Sequence, residues 1–136
     1  MANKFNFKKV QRNSKFALRS IIVLSANEAK NHFVESFRKG GFTDSSLKRW
    51  RPRKKIDKRR PGRAVLVDSG DLRKSIRVAR VNTQQLNATI ATDLPYAEVH
   101  NEGQGRMPQR QFIGHSDKLD KAITDIIDKK IDSIFR

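Results

Sequence analysis

Cysteine is absent from this 136-residue chain. A disulfide scaffold, a cysteine-ligated zinc site and a cysteine nucleophile are excluded with it. Long apolar runs are missing too. Ile21 to Leu24 is as long as they get, far short of the roughly 18 residues of a membrane helix. Hydrophobic residues make up 36%, against about 45–50% in ordinary domains when glycine is counted. Acidic residues are the scarce charge: 14 against 30 Lys and Arg, for a net charge of +16. An acidic partner or an ordered basic interface therefore belongs in any account. Met1 to Lys9 carries charge with no apolar stretch behind it, so no signal peptide is expected. These features predict a soluble protein made inside the cell and no membrane partner.

The basic excess is concentrated. Lys48 to Arg63 spans sixteen residues, ten of them basic: Lys48, Arg49, Arg51, Arg53, Lys54, Lys55, Lys58, Arg59, Arg60 and Arg63. With Asp57 as its one acid, this segment carries +9 of the total. Pro52, Pro61 and Gly62 break any helix through it. Only Trp50 and Ile56 offer anything to bury. The pattern predicts a long exposed loop over 48–63. Such a loop suits either phosphates, with binding that falls steeply with salt, or an acidic protein surface. No zinc finger, helix-turn-helix or RNA-binding signature accompanies it.

The rest reads as one domain over 1–136, with a basic arm over 1–13. A helix is expected from Ser14, its N-cap, to Arg38, with Leu18, Ile22, Ala26, Ala29, Phe33 and Phe37 on one stripe. Gly40 and Gly41 end it. Phe42 and Trp50 flank a polar turn. Ala64 to Val67 reads as a short strand. Leu72 falls in a single helical turn after Gly70. Ser75 to Val81 and Ala88 to Thr92 read as an antiparallel pair. A short helix is expected within 93–103, closed by Gly103. A last helix is capped by Ser116, with Asp117 and Asp120 in its first turn. The expected fold is α+β: two amphipathic helices packed on a small, mostly antiparallel sheet, with the long basic loop.

Catalytic and metal patterns are missing. Glu98, His100 and Glu102 alternate, but on a helix His100 faces away from the two glutamates. No His-Glu-x-x-His, serine elbow or phosphate loop is present. No enzyme, metal site or cofactor is expected.

Three blocks occur in order: Ser69-Gly70-Asp71-Leu72 leading to Ser75-Ile76; Tyr96-Ala97-Glu98-Val99-His100-Asn101 leading to Gly103; and Pro108-Gln109-Arg110-Gln111-Phe112-Ile113-Gly114. With the preceding long helix and Trp50, this order resembles the virion morphogenesis family of tailed phages, over roughly Ser14 to Ile134. The family includes tail-completion proteins of Mu-like and P2-like phages. The resemblance implies a non-enzymatic virion protein, made in the host cytoplasm, that completes the tail or joins it to the head. It implies a homo-oligomeric ring, with six copies the expected number, touching other tail and neck proteins and the DNA in the neck lumen. A free, non-sequence-specific nucleic-acid-binding protein is the alternative.

Within those blocks, most residues read first as keeping the fold. Gly70 allows a tight turn and Gly103 lets the chain leave one. Tyr96 is suited to seal sheet against helix. His100 and Asn101 can hydrogen-bond loop backbone. Phe112 anchors the last helix in the core. Arg110, a planar fork, is the member best able to bridge to a neighbour's carboxylate.

Overall fold

The computed structural model describes residues 6–54, 58, 65, 66 and 70–135. Its first helix, α1, spans Phe7–Lys39. Asn6, not Ser14, caps it: the Asn6 side chain accepts a 3.0 Å hydrogen bond from the Lys9 amide. Ser14 sits inside the helix and returns its hydroxyl to the Val10 carbonyl. Residues 7–13 of the expected arm are therefore helical. The helix ends at Gly40, whose left-handed backbone (φ 67°) lets its amide reach the Ser36 carbonyl.

The chain then makes a hairpin the sequence reading lacks. β1 (Gly41–Thr43) pairs antiparallel with β2 (Leu47–Arg49). Lys48 and Arg49 thus belong to a strand, and the expected loop can begin only after them. Val65 and Leu66 lie in a turn, with Leu66 at φ 62°, which does not fit the strand expected there. Ala64 and Val67 lie outside the described residues.

After a short α2 (Asp71–Ser75), β3 (Arg77–Asn82) and β4 (Asn87–Ala91) form a second antiparallel hairpin with an irregularity between Val78 and Arg80. Helix α3 (Ala97–Glu102) closes at Gly103, and α4 (Asp117–Ile134) completes the described fold. The architecture is α+β, with two separate two-stranded sheets among the described residues in place of one sheet.

Helix α1 is the spine. It packs on α4 along one side and on the β3–β4 hairpin along another. Ala17, Ile21, Ile22, Ala26, Phe33 and Phe37 are its buried residues of apolar type, while Leu18 stays half exposed. Phe37, Trp50, Leu72, Ile76, Ala97 and Phe112 form one core cluster. Phe33, Phe42 and Leu119 form the other, and Ile90 and Ile113 pack against both. Phe37 joins the blocks directly, with ring centroids 5.6 Å from Trp50 and 5.2 Å from Phe112. Apolar burial of this kind supplies about 25 cal/mol per Å².

Candidate interaction surface

The basic segment leaves the core through a built exit. Trp50 is buried, and its indole N–H donates to the Gln111 carbonyl at 2.8 Å. Arg110, only 9% exposed, donates from Nε and Nη2 to the Arg51 carbonyl at 3.1 and 2.9 Å. Among the described residues its hydrogen-bond partners are carbonyl oxygens, not carboxylates. The guanidinium holds the backbone of the exit through these bonds. Burial, then the charges of Arg53 and Arg51, weaken its hold on its proton.

Beyond this exit Arg51, Lys54 and Lys58 are exposed and Arg53 is half-buried. Lys48 and Arg49 are exposed on β2, with Lys48 Nζ 3.8 Å from the Asp44 carboxylate. Lys55, Arg59, Arg60 and Arg63 lie outside the described residues. The basic surface that can be described is therefore a strand edge and a clamped exit.

The second and third sequence blocks meet through Asn101. Its Oδ1 accepts the amides of Phe112 (2.9 Å) and Ile113 (3.0 Å), while the His100 carbonyl accepts the Arg110 amide at 2.8 Å. Gly103 turns at φ 70°, and a side chain there would put its first carbon 2.7 Å from the Gln109 Cβ. Gly70, at φ 82°, starts α2 and delivers Leu72 to the core. Tyr96 is 45% exposed, not sealed between sheet and helix, and its ring meets His100 edge-on at 6.1 Å. Burial, then Arg110, lowers the His100 pKa, and its Nδ1 has no hydrogen-bond partner among the described residues.

Ser116 caps α4 as expected, and Asp44, distant in sequence, adds a second cap. Ser116 accepts from the Leu119 amide at 3.1 Å and donates to the Thr43 carbonyl at 2.7 Å. Asp44 Oδ1 accepts the Asp117 amide at 2.9 Å. Two residues far apart in sequence thus cap one helix, and no local motif announces the pair. Asp44, His115 and Asp117 also place ligand-type atoms within 4.8 Å of one another. His115 Nε2 lies 2.9 Å from Asp117 and Nδ1 3.6 Å from Asp120, contacts that raise its pKa. The positive end of α4 beneath them disfavours a further cation. Glu98, His100 and Glu102 fall on α3, where helical geometry sends His100 away from the glutamates.

The sequence model of the phage virion morphogenesis family matches residues 42–132, well over half of the chain. The chain belongs to this family. The span takes in all three blocks, the basic segment and most of α4. It begins at Phe42, so α1, expected within the resemblance from Ser14 onward, lies before it. No curated protein and no solved structure matches this chain. Family membership gives the protein a virion-associated, structural or morphogenetic role. Among the described residues, no helix is long and apolar enough to cross a membrane.

Proposed function

We propose that this family member works at the head–tail junction, completing the tail or joining it to the head by assembling as a ring. It acts without catalysis, as an assembly part, and six copies make the ring. The family match over residues 42–132 carries this reading. The surface supports it. Phe7, Phe16, Val23, Leu24, Leu86 and Phe135 are among the large apolar side chains left exposed, an expensive surface for a free monomer. The basic segment meets an acidic neighbour or the DNA passing through the ring.

The exposed Lys48, Arg49, Arg51, Lys54 and Lys58 favour one alternative, a free protein that grips nucleic-acid phosphates. Native mass in moderate salt, with and without short duplex DNA, separates the two. A six-copy ring without DNA, with weak DNA affinity, is the expected result. A monomer whose tight DNA binding falls with several powers of salt, and is lost on neutralising residues 48–63, would replace this reading with the alternative.

A further inference from the structure

Outside the core, the described residues form an open apolar groove of about 470 Å³. Leu18 and Ile21 of α1, Leu86 and Ile90 of the hairpin, and Ile127 and Ile131 of α4 are among its walls. The α4 wall belongs to a helix far less basic than the rest of the molecule. That helix carries Asp117, Asp120, Asp125, Asp128 and Asp132 against four lysines, in a chain of net charge +16. Asp128 stands three residues before the groove isoleucine Ile131 and shares its side of the helix, as Lys130 does between Ile127 and Ile134; Asp120, three before Ile123, already faces His115 at 3.6 Å.

The complementary shape lies elsewhere on the same chain. On α1, Phe16 and Val23 are seven residues apart and share a face; they are 73% and 47% exposed, and Phe16 borders the end of α4 beside Lys130 and Ile134. Arg12 and Arg19 each lie four residues before one of them. From Phe7 to Asn27 this helix has five cations (Lys8, Lys9, Arg12, Lys15 and Arg19) and no acid. Lys8 and Lys9 sit at the positive end of the helix dipole, where an anionic neighbour would relieve them.

We infer that the Phe16–Val23 face of α1 in one copy seats in the α1–hairpin–α4 groove of a second copy. Phe16 enters the groove, while Arg12 and Arg19 meet the carboxylates of α4. A nucleic acid would satisfy the cations but leave both apolar surfaces wet. A second copy covers both and opposes the charges. The two surfaces differ, so the contact is head-to-tail: it closes into a ring or continues as a filament. This inference rests on the assembly reading above, and it places the decisive donor on α1, outside the span matched by the family.

The lack of native cysteine gives a direct test. Single-cysteine variants F16C, L86C, I131C and M107C are made, with F16C tagged, all at positions at least 44% exposed. Retained circular dichroism confirms folding. F16C is mixed with each of the others and treated with a short bismaleimide. Adducts of F16C with L86C and I131C, at least several-fold above that with M107C, are expected. Phe16→Asp should lower the native mass of the assembly. Equal or absent adducts while the native mass still exceeds the monomer would overturn this contact and leave assembly standing. Absent adducts from a protein that stays monomeric would sink both. Absent adducts with the F16C thiol shielded by duplex DNA would overturn the contact in favour of nucleic acid on α1.

Discussion

At the scale of single residues, Arg110 has the clearest job. It is a buried cation spent on backbone carbonyls, and it ties the third sequence block to the exit of the basic segment. Arg110→Ala should cost about 2–3 kcal/mol, since hydrogen bonds from a charged donor are lost inside the protein. Arg110→Lys should recover only part of that, because lysine lacks the planar fork. Urea denaturation measures both. The histidines divide by environment. Burial lowers His32 and His100, while Asp117 and Asp120 raise His115. In an NMR titration His32 and His100 should therefore titrate below the usual 6.5, and His115 above it. For the first two the unfolded chain binds protons more readily, so they withdraw stability as pH falls through the unfolded value of about 6.5. The His115 contribution is present below that value and is lost as pH rises through its raised folded value. Arg110 and Phe112 were legible as a block; the inward turn of Arg110 was not, because a sequence does not say which carbonyls converge on a guanidinium.

Among the elements, the last helix, the second hairpin and the short helix ending at Gly103 follow from periodicity and caps. Ser116 with Asp117 and Asp120, the alternation of Ile76 and Val78, and a glycine after a polar turn are local signals. The first hairpin is not. Only Phe42 of its apolar residues is buried, and the close approach of Gly41 to the Lys48 backbone makes the pairing. The start of α1 was also hidden, since Asn6 is followed by Lys8 and Lys9 where an acid would mark a first turn. Gly103 and Gly40 give a controlled comparison. Both have left-handed backbones, but a side chain at Gly40 would meet open space and one at Gly103 would strike Gln109. Gly40→Ala should cost about 1 kcal/mol for backbone strain alone. Gly103→Ala should cost clearly more, by thermal melting. Removing the distal cap with Asp44→Ala should cost about 1 kcal/mol and loosen the α4 amides first, as hydrogen exchange reads them.

At the scale of the molecule, a chain with this little apolar content still leaves large side chains and an open groove uncovered. Its basic excess lies on elements other than α4, where five aspartates stand against four lysines. In the proposed assembly these are the surfaces that neighbouring subunits cover. Composition revealed the charge imbalance. The groove could not be read from it, because it forms only where α1, the β3–β4 hairpin and α4 meet. The central claim is that such assembly acts at the head–tail junction. In a phage carrying this gene, a nonsense mutation should leave filled heads and separate tails in the lysate by electron microscopy, with joining restored by the protein supplied in trans. Joined, infectious virions from the mutant would contradict the account.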